Sequence, residues 1–470
     1  MPVDRDDLRD TAKYLRNVRP IDPEEITDYL EGQPDHRAVR VALREEAADL
    51  GLVEREDGAF VPVEDDPVRV HFDGVEALPN EYAFALEELL IERYGRDWHD
   101  GDSGASLRET IRKLKEDYYR RNPVEYDEEV ALAYAIYHLP DYYATVQYVL
   151  DDLARDGLLT RDLRVLDVGA GVGGPALGLH DYLASSEDPV LVDYDAVEPS
   201  AAADVLDDLL DETGSNFHPS ITRETAEAFE FEAGAYDLVC FNNVLSELDD
   251  PVAVVERYLD ALADDGTFVA TAPADKHTST HLREVERTVE AHEAATVYGP
   301  TVRLWEGERP TDRGWSFDER PDLATPGFQE RLARGASDPS SFTNTSVKFS
   351  YSFLRTDGER RFDVSLSEKR YAKMVDMGHH VPDRIDLVAA KLSRNLAGEG
   401  ANPLFKISDG SEDVEHYAVL VKENALNRDL LDAEYGDLLV FEQVLALWND
   451  DEEAYNLVCD EQTIVDVYAR

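Results

Sequence analysis

The stretch "RVLDVGAGVGGPALGLHDYL", residues 164–183, places one carboxylate, Asp167, directly before a loop of closely spaced glycines. An apolar strand that ends in an acid and a GxGxG loop, then enters a helix, is a nucleotide cradle: the glycines let the backbone approach a ligand and take positive φ. Pro175 suits the first helical turn, where its missing N–H has no partner to lose. Taken alone, such glycines are weak evidence, since any tight turn needs them.

Context strengthens the case. "YDAVEPSAAADVLDDLL" reads as a second strand that ends at Glu198 and runs on into a helix, so a carboxylate stands where a ribose offers its hydroxyls. Glu198 capping that helix is the alternative. "AYDLVCFNNVLSEL" reads as a strand switching into a helix, and "LADDGTFVATAPA" as another strand, so the region has the alternation of a doubly wound parallel sheet. Dinucleotide enzymes set a pyrophosphate on the helix N-terminus, but here an acid precedes the loop and no basic residue follows in the early helix. That pattern favours S-adenosyl-L-methionine over a dinucleotide. The expected cofactor contacts are Asp167, Gly169, Ala170, Gly171, Gly173, Glu198 and Asn242.

No catalytic residue emerges. Methylation of a base amino group is associated with an Asn-Pro-Pro-Tyr-like turn, and "FNNVLSEL" lacks the prolines. Asn242, Asn243 and Glu247 either orient a substrate or cap the next helix. Cys240 lies in the apolar strand "DLVCF", where a thiol is structural rather than nucleophilic. His277 and His281 are four apart with no third ligand in sight, so no metal site is expected.

The elements that must position this site come from a chain of 470 residues and net charge −56, with acids scattered through every segment among 43% apolar residues. This is a folded chain with an acidic surface, not one with a disordered acidic tail. Dispersed carboxylates and few Met and Cys suit hydration in molar salt, where the Debye length is about 3 Å, and we read the host as halophilic. Screening at that salt means that net charge does not exclude an RNA partner. Cys240 and Cys459 are too few for a disulfide framework. The absence of a long apolar run and of an apolar leader in "MPVDRDDLRD" predicts a cytoplasmic protein without a membrane partner.

Five segments are expected: a winged-helix-like module over 1–66, a helical region over 67–160, a Rossmann-like core over 161–300, a long loop excursion over 301–345, and a β-rich portion over 346–470, for which a small barrel is one option. Glu45, Glu46 and Asp49 make the third helix of the first module a poor phosphate face. The densest basic cluster, "LRETIRKLKEDYYRRN", carries Arg108, Arg112, Lys113, Lys115, Arg120 and Arg121 beside Tyr118 and Tyr119. It is either a solvated helix face or a contact for phosphates and unpaired bases. Within the loop excursion, Arg303, Arg309, Arg313 and Trp315 suit RNA docking, with Trp315 pinning the loop to the core as the alternative.

With "AYAIYHLPDYYATVQYVLDDL" before "RVLDVGAGVGG", "AVEPS" after it, then "NNVLSEL" and "KFSY", the chain resembles the Rsm-type small-ribosomal-subunit methyltransferase-like family, whose mitochondrial members act in small-subunit assembly. The resemblance runs from about Glu128 to Phe362. It implies a class I S-adenosylmethionine-dependent methyltransferase fold and a partner in the small ribosomal subunit or its RNA. The activity it implies is methyl transfer; the alternative is a catalytically inactive assembly or translation factor that keeps the fold. Many members resemble iron–sulfur proteins. Here Thr301 and Ser316 stand at the apparent cysteine positions, and hydroxyls are poor ligands for iron, so no iron–sulfur cluster is expected.

Overall fold

The computed structural model describes residues 3–469. The chain divides into two compact units, Met1–Cys240 with Pro321–Val347, and Phe241–Arg320 with Lys348–Arg470.

The first unit begins with helices Arg5–Leu15, Pro23–Ile26 and His36–Glu45, each capped by an aspartate (Asp4, Asp22, Asp35) whose carboxylate accepts first-turn N–H groups. Strands β1 (Leu52–Glu54) and β2 (Phe60–Pro62) form a hairpin, and Ile21 bridges to Phe60. Leu8, Ala12, Val39, Leu43 and Phe60 fill a small core between them. Helices followed by a short hairpin make this an N-terminal helical region. Its acids are spent internally, however: Glu45 pairs with Arg5, and the buried Glu46 pairs with Arg9.

Helices Asn80–Tyr94, Gly101–Arg120 and Glu128–Arg155 follow. The 28-residue helix is the spine of the unit, and helix Gly174–Ala184 lies close against it. Gly174 and Gly178, one turn apart, permit this approach: a Cβ at Gly178 would stand 2.3 Å from the Tyr143 carbonyl oxygen. Four parallel strands, β3 (Asp162–Val168), β4 (Leu191–Val197), β5 (Phe217–Thr222) and β6 (Tyr236–Asn242), run in the order β5-β4-β3-β6. β3 and β4 are largely apolar and buried along their C-terminal halves, as expected of a parallel sheet covered on both faces.

In the second unit β7 (Leu262–Pro273) and β8 (Thr296–Gly299) flank an antiparallel strand, which is β10 (Val347–Arg355); β9 (Asp318–Arg320) also pairs with it. Strands β11 (Arg384–Lys391), β12 (Leu404–Ser408), β13 (His416–Leu420), β14 (Leu438–Asn449) and β15 (Ala454–Cys459) run in the order β11-β12-β13-β15-β14, and β14 pairs back to β11. The result is a closed five-stranded barrel of Greek-key, OB-like character, with β13 and β15 parallel and β16 (Ile464–Ala469) added on β14. The fold is therefore a class I S-adenosylmethionine-dependent methyltransferase fold with an N-terminal helical region and a β-rich C-terminal region.

Residues 301–345 are not a plain loop. They carry β9, helix Gly327–Arg334 and a 3-10 turn at Pro339–Phe342. Phe328, Leu332 and Phe342 bury themselves in the helical core of the first unit, which is why this segment is ordered.

Candidate functional site

Asp167, the penultimate residue of β3, is in register with Ala196 of β4 and Cys240 of β6, so the glycine loop leaves the sheet at its C-terminal edge. Gly169, Gly171 and Gly173 have φ of 72°, 57° and 91°, the left-handed region that L side chains enter at a cost of about 1–2 kcal/mol. At Gly173 a Cβ would meet Leu206 Cδ1 at 2.7 Å, whereas at Gly171 the nearest atom is the Gly169 carbonyl oxygen of the same loop, 3.9 Å away. The loop is thus closed at Gly173, toward the helix Ala202–Leu210 that follows β4, and open at Gly171, the shape of a cradle. Ala170 is buried between them.

Glu198 follows β4 directly, and its carboxylate joins the two loops: Oε2 accepts the Gly171 N–H and Oε1 the Ser200 N–H, both at 2.9 Å. It is a brace between loops; the remaining lone pairs of its two oxygens are what a ribose can use. Asp167 is 1% exposed and accepts the Tyr194 hydroxyl at 2.6 Å, so it anchors the end of the strand. Burial, with Asp167 alongside, pushes the Cys240 thiol well above its ordinary range, which makes it a structural thiol. The fit to S-adenosylmethionine rests on these loops: an open left-handed glycine, a buried acid at its base and a carboxylate at the end of the neighbouring strand.

Asn242 belongs to the second unit, where its Oδ1 accepts the Thr271 hydroxyl at 3.4 Å. Asn243 takes φ 63°, and a 3-10 turn, Leu245–Glu247, stands where a helix was expected. His277 and His281 stack with ring centroids 6.3 Å apart, and no group of three metal-ligating side chains occurs among the described residues.

The expected RNA contacts divide sharply. Arg108 is buried and donates to the carbonyls of His99 and Leu332. Arg112 pairs with Glu109 and lies over the Phe342 ring. Lys115 donates to the Tyr137 hydroxyl and the Ser341 carbonyl, and Arg120 pairs with Glu116. Lys113 and Arg121 stay exposed, beside an 87% exposed Tyr119. In the second unit Arg313 and Arg309 are exposed, but Arg303 is buried in ion pairs with Glu286 and Glu290, and Trp315 donates to the Ala274 carbonyl, pinning its loop. Arg303 and Trp315 are therefore structural rather than docking residues. The outer side of β12 is likewise taken by the chain itself, with Lys406 buried between Asp312 and Glu415.

Thr301 and Ser316 meet one buried ion pair. Thr301 donates to Glu286 at 2.7 Å, and Arg283 reaches both Glu286 (2.6 Å) and Ser316 (3.3 Å). Burial alone would raise Glu286, but Arg283 and Arg303 outweigh it and hold the carboxyl at about 2.

Sequence reasoning missed one group. On the spine helix, Tyr134, His138 and Tyr142 recur every four residues and so share a face. His138 stacks on Tyr142 with centroids 5.0 Å apart and a 15° angle, Tyr134 sits 4.8 Å from His138, and Tyr126 edges Tyr134 at 5.5 Å. Asp141 lies 3.5 Å from His138. The signal was present in "YAIYHLPDYY", a run of rings with helical spacing.

The family described as "Methyltransferase domain" matches residues 133–324, and the N-terminal and C-terminal domains of a domain of unknown function, DUF8157, match residues 5–56 and 375–468. Among solved structures, a SAM dependent methyltransferase from Aquifex aeolicus is 15% identical, over 34% of this chain and 82% of that one, at TM-score 0.27. The plantazolicin methyltransferase BpumL, solved with SAH, is 16% identical over 43% and 66% at 0.24. The [4+2]-cyclase SpnF is 14% identical over 60% and 98% at 0.29. No curated protein matches the chain. Residues 133–324 thus match a methyltransferase domain and include the glycine loop, and no helix among the described residues is long and apolar enough to cross a membrane.

Proposed function

We propose that this chain binds S-adenosylmethionine in the Gly169–Gly173 loop and transfers its methyl group to RNA of the small ribosomal subunit, in a halophilic cytoplasm. The observation that carries the cofactor reading is the pairing of an open left-handed Gly171 with Glu198, which ties the two ligand-facing loops together. When bound, the cofactor supplies an electrophilic methyl group. The chain's own part is to hold the acceptor in line and dry, since position and desolvation carry most of such a reaction. The RNA reading is supported by the family resemblance and by the exposed Lys113, Arg121 and Tyr119.

A second reading, an inactive assembly or translation factor, draws support from the turn after β6, Asn242-Asn243 without proline. Calorimetric titration of S-adenosylmethionine in molar potassium chloride, with Gly171→Asp as control, tests the cradle. Incubation with methyl-labelled cofactor and small subunits tests the transfer: label in the RNA supports methylation, and binding without label favours the factor. If the unsubstituted protein does not bind the cofactor, the cradle assignment falls.

A further inference from the structure

The aromatic cluster of the spine helix stands beside both ligand-facing loops. The Gly174 α-carbon faces Tyr142, so closely that a Cβ there would lie 3.0 Å from the Tyr142 Cβ, and the Tyr126 carbonyl accepts the Ala201 N–H, three residues past Glu198, at 3.3 Å. The helix start behind the glycine loop and the loop behind β4 are therefore each held by a member of the cluster.

Its rings are not simple core. Tyr126, just before the helix, and Tyr134, His138 and Tyr142 on it are each half-buried, while Leu132, Ile136 and Leu139 of the same helix lie in the hydrophobic core. Two polar atoms within the cluster are orphaned: His138 Nδ1 and Asp141 Oδ1 are shielded from water and make no hydrogen bond. The 3.5 Å approach of His138 to the other Asp141 oxygen is an ion-pair distance without hydrogen-bond geometry. A buried donor or acceptor left unmade is costly, and native chains keep such groups where a partner arrives from outside. Burial pushes the Asp141 carboxyl up, with His138 and Asn344 drawing it partly back, so the chain does not fully compensate this charge itself.

Half-buried rings on one face, a hydrogen-bonding edge behind them and a position against the donor loops together fit a flat, nitrogen-bearing ring that stacks and is read along its edge. We infer that Tyr126, Tyr134, His138 and Tyr142 form the acceptor site and that its occupant is a single unpaired nucleobase, with His138 and Asp141 hydrogen-bonding its edge. Arg121, at the left-handed end of helix Gly101–Arg120, begins the short segment leading to Tyr126 and puts a cation on the path of the attached phosphate. The inference deepens the methyltransferase reading and rests on it for the reaction, though not for base binding.

The experiment titrates AMP, CMP, GMP and UMP separately into the full chain in molar potassium chloride, followed by ligand-observed NMR. The cofactor site is first saturated with S-adenosylhomocysteine, so that adenine has no other cradle to enter. At least one monophosphate should bind. Its affinity should fall at least fivefold in Tyr134→Leu and Tyr142→Leu, stay within twofold in Tyr142→Phe, which keeps the ring, and fall in His138→Asn, which keeps the fold if a leucine variant does not. S-Adenosylhomocysteine affinity should hold within twofold in all of them. No binding by the unsubstituted protein, binding indifferent to every ring substitution, or parallel loss of S-adenosylhomocysteine, which would make the cluster a cofactor wall, each overturns the assignment. Ring-dependent base binding by a chain that does not take S-adenosylhomocysteine would sink the methyltransferase reading and leave the base site standing.

Discussion

Two buried carboxylates, one in each unit, follow opposite logic. Glu286 in the second unit is surrounded by Arg283 and Arg303, the Thr301 and Ser352 hydroxyls, and almost no water. Asp141 in the first unit has one imidazole and the Asn344 side chain nearby, and one oxygen without a hydrogen bond. The pKa directions differ accordingly, down to about 2 for Glu286 and upward for Asp141. A charge whose every valence is met inside the chain is structure. One left partly unmet beside a ligand-facing loop is a place where something else belongs.

Removing one partner of the Glu286 cluster should give the largest effect. Arg283→Ala removes the nearer of the two cations that balance the buried Glu286 carboxylate, leaving only the more distant Arg303, and we expect a loss of about 3 kcal/mol in denaturant unfolding; a loss below about 1 kcal/mol would erase the contrast between the two sites. Next, Gly171→Asp should weaken S-adenosylmethionine binding about a hundredfold, about 2.8 kcal/mol, because it adds backbone strain at φ 57° and a negative charge against the cofactor carboxylate. Calorimetry reads this directly, and unchanged affinity removes Gly171 from the site. Gly178→Ala should cost about 1–3 kcal/mol in thermal or denaturant unfolding, since its Cβ would meet backbone at 2.3 Å rather than a movable side chain.

The pH dependence sharpens the comparison because its two signs oppose. Glu286 has a depressed folded value, so its contribution is present above the ordinary carboxylate range and is lost as pH falls toward about 2. Asp141 has a raised folded value, so its charged form burdens the fold at neutral pH and the burden lifts as pH falls. Asp141→Asn should therefore hold or raise stability at pH 7, and Glu286→Gln should lower it; unfolding curves of the pair at pH 7 and pH 5 decide the matter. The smallest effect is expected from Lys113→Glu with Arg121→Glu. Molar salt screens both side chains, so RNA association should weaken only a few-fold there and more in dilute buffer; equal RNA binding at both salts would remove this patch from the interface.

Much of the first unit's site was legible in the chain because it is local. Asp167, Gly169, Gly171, Gly173 and Glu198 occupy a strand end, a turn and the next strand end, and period and turn chemistry read such features directly. The roles of cations were not legible. Arg108, Arg112, Lys115 and Arg303 look alike on paper as positive charges in an acidic protein, yet each is committed to a carbonyl, a ring or a carboxylate, three of them far along the chain. Helix Gly327–Arg334 was hidden for the same reason: Pro, Gly and Ser in its flanks mask an element stabilised by apolar contacts with the first unit's helices rather than by its own propensity.

The sequence by itself determined the alternation of strand and helix, the acid-glycine cradle, and the acidic character of the surface, because each is written in spacing or composition. Only the tertiary structure decided which charges are spent, that β14 returns to β11 and closes a barrel, and that Tyr126 joins Tyr134, His138 and Tyr142 beside two loops. Those outcomes depend on contacts between residues distant in the chain, and no local pattern encodes whether a buried polar atom finds its partner.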